Sequence, residues 1–376
     1  MKIGLITRSD LNDKVYWSGI INSVYENLKK NKNIKVIKID KLNNTLRKIT
    51  AFKREYLKFF SKEKFDESYT EIVSKNFGQQ IERKIRDKDI DFLLAFDSSL
   101  IAYLNTRIPI VLWTDLLYSD YYDHYYKNEK ISKASINSIK KIEKKALKRC
   151  HKIFLSSNWA IKKANIKYRN FSQKVKLLEF GPSLKSEISK KIILQKIKNR
   201  PSKRINLITL SVNWKRKGIS KILQINKIIN NKGVKSKLTI IGLKKKIDDK
   251  NINFVDFINK NTKKGYTKIS KSLLENHFHL LLSNAEAYGI ALIEANSRGL
   301  PNIAFNVGGI KQIVKDNING KLFDEKIELE EISNYIIKLF LNKKKYKKLS
   351  ISSYNEYNRK FSYKKIISKF CLLIKS

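Results

Sequence analysis

The chain is 376 residues long, and 80 basic against 34 acidic side chains give it a net charge of +46. That length holds two domains, each able to bury its own core, and recurring apolar blocks exclude wholesale disorder. No run reaches the ~20 apolar residues of a membrane-spanning helix, and two cysteines, Cys150 and Cys371, exclude a disulfide framework or a cysteine zinc cluster.

In chain order, the first half alternates two periodicities. KIGLITR (2–8), IKVIKID (34–40), DFLLAF (91–96), IPIVLW (108–113), HKIFLS (151–156) and KVKLLEF (174–180) predict strands. Residues 19–31, 69–87, 134–149 and 157–166 carry apolar side chains at helical spacing. The opening MKIGLITRSD reads as a strand and loop, not a signal peptide, so a cytoplasmic location is expected. Residues 186–204 are polar and lysine-rich and place a domain boundary, giving an N-terminal domain over 1–185. Strands are then predicted at 204–211, 236–242, 252–257, 277–283, 300–305 and 319–323, with helices near 217–231, 265–275, 288–298, 309–316 and 328–342. This second domain spans 186–345, and a helical tail over 346–376 is expected to pack back on the first. The alternation predicts an α/β fold of two doubly wound parallel sheets. Ligands of such sheets sit at the strand C-terminal ends, here facing a central cleft.

The chemistry concentrates in SNAEAYGIALIEANSRGLPNIAFNVGGIKQIVKDNINGKLF, residues 283–323. Glu286 follows an apolar strand, and Gly289 opens a helix whose free amides suit an anion such as a diphosphate. Glu294 lies eight residues beyond Glu286 and could accept two hydrogen bonds from a sugar diol such as ribose. Gly308-Gly309 gives a tight bend where backbone can approach a ligand. Singly, each feature also fits a dipole-matched first turn or an ordinary loop. Together, at these spacings, they point to one site.

The stretch resembles the donor-binding signature of the retaining glycosyltransferases of family four, which have the GT-B fold. The matching residues are Glu286, Glu294, Ala295, Gly299-Leu300-Pro301, Gly308-Gly309 and Asn319-Gly320. The resemblance implies that Tyr288, Gly289, Ile290 and Ala291 flank the donor and that Glu286 and Glu294 orient sugar hydroxyls and ribose. SVNWKRKGI (211–219) is similar to the family's loop in which a lysine before glycine meets the diphosphate, a place held by Lys217. The family's arginine a few residues earlier is missing from its position, and Lys215 or Arg216 stands nearest. On spacing alone Lys217 is one solvated lysine among 67. Trp17-Ser18-Gly19 resembles the glycine loop facing the diphosphate, Phe257 to Lys260 the loop beside the base, and Ser157, Trp159 and Phe180-Gly181 structural positions.

One departure stands out. Where many members carry a histidine after the fourth strand, this chain has Thr114-Asp115, leaving Asp115 as the candidate to contact donor or acceptor hydroxyls. His277 and His279 flank a buried strand and read as core residues. Tyr118 to Tyr126 fits either an acceptor-stacking surface or a packed aromatic loop. Asp89-Ile90-Asp91 resembles a metal-binding Asp-x-Asp but precedes a strand, so it reads as a turn. No metal or other cofactor is expected, with Lys217 and helix amides neutralising the diphosphate.

The resemblance therefore implies transfer of a sugar from a nucleotide diphosphate sugar to a hydroxyl of a saccharide or lipid-linked saccharide, in cell-surface polysaccharide or glycolipid synthesis. Three alternatives remain at this point: a nucleotide-sugar epimerase of the same fold, a degenerate homologue that only binds, and a nucleic-acid-binding protein. The last fits the charge, but the lysines are dispersed and no nucleic-acid module is recognisable. Residues 127–176 hold 16 basic and 2 acidic side chains. Such a face could rest on an anionic membrane or simply be solvated.

Overall fold

Near-continuous apolar runs form strands buried on both faces, the pattern of parallel sheets covered by helices. The computed structural model describes all residues except 44, 128, 185–187, 246 and 376, and omits the side chains of 47–50, 53, 57 and 58. Two compact units emerge, Met1–Glu179 with Ile367–Ser376, and Phe180–Ile366.

The first unit runs β1 (Lys2–Ile6), α1 (Ile20–Lys29), β2 (Lys35–Ile39), α2 (Thr45–Ser61), α3 (Glu71–Ile85), β3 (Phe92–Ala95), β4 (Ile110–Thr114), α4 (Tyr118–Tyr125), α5 (Lys133–Arg149), β5 (Cys150–Leu155), α6 (Asn158–Lys167) and β6 (Val175–Leu177). Its six parallel strands lie in the order β2-β1-β3-β4-β5-β6. The second unit runs α7 (Lys190–Lys198), β7 (Ile205–Leu210), α8 (Ile219–Asn231), β8 (Ser236–Ile241), β9 (Ile252–Val255), α9 (Lys263–Glu275), β10 (Phe278–Leu281), α10 (Ile290–Asn296), β11 (Asn302–Phe305), α11 (Ile310–Ile313), β12 (Gly320–Phe323), α12 (Leu329–Leu341), α13 (Lys343–Glu356) and the start of α14 (Tyr363–Lys375). Its six strands, also parallel, lie in the order β12-β11-β10-β7-β8-β9. Chain order reverses between β1 and β3 in one sheet and between β7 and β10 in the other. Those switch points are where loops diverge and ligands fit.

Each predicted strand forms, most of them trimmed at the ends, while β4 runs one residue further, to Thr114, and β5 starts one residue earlier, at Cys150. Three helices lie where none was expected. α7 occupies the presumed linker, because Ser189 caps it and Ile193 and Ile197, one turn apart, are buried. α4 forms in the tyrosine run despite modest helix propensity. α2 buries little of its aromatic side, so its periodicity did not mark a core element.

The boundary expected at 185/186 falls outside the described residues; the chain divides at Glu179/Phe180. The tail also differs from expectation. Tyr346 and Leu349 on α13 join the second unit's core, and buried Arg200 ties them in by donating to Tyr346 Oη (2.7 Å), Ser350 Oγ (3.2 Å) and Gly299 O (2.9 Å). Only Ile367–Ser376 belongs to the first unit, where the Phe370 ring stacks 5.7 Å from Trp113. Among the described residues no helix is long and apolar enough to cross a membrane.

Candidate functional site

The loop after β7 carries Arg216, Lys217 and Gly218. Gly218 has φ +66°, and a Cβ there would lie 2.1 Å from Leu282 O, so only glycine lets this loop lie against the end of β10. Asn284 N donates to Arg216 O at 2.9 Å, joining the two loops again. The result aims two cations at one carboxylate. Lys217 Nζ donates to Glu286 Oε2, and Arg216 Nη1 reaches the same oxygen at 3.4 Å and Ala285 O at 3.2 Å. Glu286 is buried, and its backbone carbonyl accepts from Gly309 N at 3.1 Å, which anchors the Gly308-Gly309 bend beside it. Burial pulls the Lys217 pKa below the usual lysine value; Glu286 opposes that pull and Arg216 adds to it.

Gly289 is the left-handed N-cap of α10 at φ +93° and offers no side-chain cap to the first amides, at half-buried Ile290 and Ala291. α10 has only seven residues, so its dipole is small beside the full charges of Lys217 and Arg216. Tyr288 is buried, with its hydroxyl accepting from Phe180 N (3.1 Å) and donating to Phe180 O (2.8 Å). Its side chain holds the loop rather than facing a ligand.

Glu294 is also buried, and Ser183 Oγ donates to its Oε1. Lys260, on the loop after β9, donates to Ser183 Oγ at 2.7 Å and pairs with Glu294 at 3.7 Å. Phe257 on the same loop is half exposed, an open ring face at the mouth of this cluster's loop. Ser183 was not foreseen, and Lys260 was named only as the end of the loop that resembles the one beside the base: serine and lysine in loops are too common to signal a site. From β10 across β7 and β8 to β9 is three strand spacings, about 14 Å, which suits an elongated ligand such as a nucleoside diphosphate.

The rest of the signature is architectural. Asn302 Nδ2 donates to Asn296 Oδ1 (2.6 Å) and Leu292 O (3.0 Å), and Asn319 Nδ2 to Ile313 O (2.8 Å), satisfying buried backbone around α10 and α11. His279 Nδ1 meets Asn302 Oδ1 at 2.8 Å; His277 Nδ1 accepts from Asn206 N at 2.9 Å while its Nε2 donates to Pro201 O at 2.7 Å. Both histidines are core residues, as expected. Asp89 and Asp91 precede β3 and bind the ammonium and the backbone amide of Lys2, respectively.

In the first unit, Trp17, Ser18 and Gly19 all have positive φ (52°, 57° and 82°), a strained turn at the start of α1. Trp17 and Asp115 line a cavity of about 200 Å³ beyond β3 and β4, with Asp97, Tyr118 and Tyr121. Asp97 accepts from Arg8 and from Tyr69 Oη (2.9 Å). The tyrosine run divides its labour. Tyr118 stacks on Tyr69 with ring centres 3.7 Å apart, and both Tyr118 and Tyr122 donate to Asp66. Tyr121 reaches the cavity wall. Asp97 and Arg8, at the β1/β3 switch point, were not foreseen; their place after consecutive sheet neighbours is the signal that could have found them.

Two doubly wound six-stranded domains with these sites define the GT-B fold class. Comparison with solved structures agrees: sucrose-phosphate synthase from Thermosynechococcus elongatus superposes with a TM-score of 0.71 at 14% identity, over 100% of this chain and 98% of that one. An Anabaena protein, HepE, solved in complex with UDP and glucose, gives 0.62 at 11% identity, over 100% and 99%. Residues 190–356 match the family described as glycosyl transferases group 1. An uncharacterized glycosyltransferase of Methanocaldococcus jannaschii is 29% identical over 105 residues, which is 28% of this chain and 29% of the relative.

Proposed function

We propose that the protein moves a sugar from a nucleoside diphosphate sugar to an acceptor hydroxyl with retention of anomeric configuration and without a metal ion. The observation that carries this reading is the convergence of Lys217 and Arg216 on buried Glu286 at the β7/β10 switch point. In the ligand-bound enzyme the diphosphate takes those two cations, where charge-assisted bonds are strong. As the bond from the anomeric carbon to the diphosphate breaks, the electron pair and the growing negative charge move onto the diphosphate, and preorganised cations stabilise it most at that moment. Glu286, released from the lysine, orients sugar hydroxyls, while Glu294, with Ser183 and Lys260, holds the ribose diol. The acceptor oxygen bonds the anomeric carbon and passes its proton to the departing diphosphate.

The first-unit cavity, with Asp115 for hydroxyls and Tyr121 and Trp17 for an apolar sugar face, supports a saccharide acceptor. The Anabaena structure with UDP and glucose supports a uridine donor as the first to test. The +46 charge supports work at the cytoplasmic face of an anionic membrane, on a lipid-linked saccharide for cell-surface polysaccharide or glycolipid. The test is turnover: UDP release from UDP-sugars with and without a saccharide acceptor, with and without EDTA, and the product's anomeric configuration by NMR. Acceptor-dependent release, unaffected by EDTA and giving the donor's configuration, is expected. Donor conversion without acceptor would make the protein an epimerase, and loss of activity with EDTA would overturn metal independence.

A further inference from the structure

Helix α2 carries an aromatic face that lies largely exposed. Phe52, Tyr56, Phe59 and Phe60 are each between 61 and 80% exposed. At about 100° per residue they fall on one side of the helix. Tyr56 and Phe60 rings lie 4.7 Å apart, and Phe59 and Phe60 5.0 Å, so they form one surface instead of scattered side chains. Among the described residues, four of the five exposed large aromatics are on this single helix, the fifth being Phe257. Its hold on the unit includes Arg54, which pairs with Glu67 at 2.9 Å.

An unpartnered aromatic face has several possible occupants, and charge separates them. The α2 segment contributes Arg47, Lys48, Lys53, Arg54 and Lys58 against one acid, Glu55, in a chain of +46. A second copy of so basic a chain is repelled. An anionic lipid surface is attracted, and aromatic rings are stable at the headgroup level, where one side is apolar and the other wet. We infer that α2 lies in the interface of an anionic bilayer, with Phe52, Tyr56, Phe59 and Phe60 inserted beneath the headgroups and the positive charge of the segment drawn to lipid phosphates. This names the element that makes the membrane contact proposed above. It does not depend on donor chemistry.

The test uses the full chain and phosphatidylcholine vesicles with or without phosphatidylglycerol at physiological salt. The parent sediments with the anionic vesicles, and the Phe52→Ser/Phe59→Ser/Phe60→Ser variant loses at least about tenfold in partitioning while keeping its UDP thermal shift. A Phe59→Trp variant, which preserves the face, shows a blue-shifted emission with anionic vesicles. Equal partitioning of the triple variant, an unshifted emission from Phe59→Trp, or a parent dimer that the triple variant dissociates would each overturn the inference. The UDP shift is read separately, so failure of the donor site and failure of the membrane helix are distinguishable.

Discussion

Lys217 and Glu286, one on the loop after β7 and one on the loop after β10, form a buried ion pair across the switch point of the second sheet. A buried pair is weak as a source of stability, because desolvation offsets much of the attraction. On the proposed function, its value lies in holding a cation ready for an anion that binds better than the carboxylate does.

Lys217→Ala therefore removes a charge-assisted bond to the diphosphate. UDP affinity should fall about 10- to 100-fold, the equivalent of roughly 1.5–3 kcal/mol. Isothermal titration checks it, and unchanged affinity would mean the lysine serves the fold alone.

Glu286→Gln separates binding from chemistry. The substitution frees Lys217 and Arg216 from their carboxylate, so UDP binding should hold or tighten, while kcat should fall about 10²-fold. Steady-state kinetics beside UDP titration give both numbers. A variant with weaker UDP binding and normal kcat would contradict the assigned role.

Gly218→Ala tests the scaffold of the site. The left-handed φ and the 2.1 Å approach of a new Cβ to Leu282 O force the loop to move. Stability should drop by about 1–3 kcal/mol in denaturant titration, with UDP affinity falling as well. A variant as stable as the parent would show the loop to be tolerant.

The strands and the glutamate–glycine motif were legible because they depend on local signals: apolar runs for parallel sheets, and glutamates and glycines at fixed spacing. Tertiary features were less so. Nothing in the sequence shows that Asn302 and Asn319 support backbone while Glu294 meets Ser183 and Lys260, since burial and partner choice are set by the packed chain. Tyr288 shows the same limit: its position in the motif suggested ligand contact, but its hydroxyl is spent on Phe180. Lys260 and Ser183 meet Glu294 from distant parts of the chain, and no periodicity brings them together. The helical tail reads as helix from its pattern, yet which unit it joins depends on Tyr346 reaching His277 O and Arg200, contacts invisible in one dimension.

His277 and His279 predict an acid sensitivity. Burial lowers the pKa of each to about 4 from 6.5, and His279 Nε2 is buried without a hydrogen-bond partner. Between those values the unfolded chain binds more protons than the folded one, so the contribution is complete above pH 6.5 and lost as pH falls towards 4. Each histidine contributes about 3 kcal/mol at most to that fall. Urea titrations from about pH 7 to 4 should show the decline, with a shallower slope in His279→Leu; an identical slope would mean that His279 does not carry the acid sensitivity.

The proposed function places a nucleoside diphosphate sugar between Lys217 and Glu294 of the second unit. Its most direct test is thermal shift with UDP-, GDP- and ADP-sugars, without added metal, in the parent and in Glu294→Ala. One nucleotide at about a hundred times its Kd should stabilise the parent by about 2.7 kcal/mol and leave Glu294→Ala almost unmoved. No shift with any of the three in the parent, or an equal shift in Glu294→Ala, would contradict it.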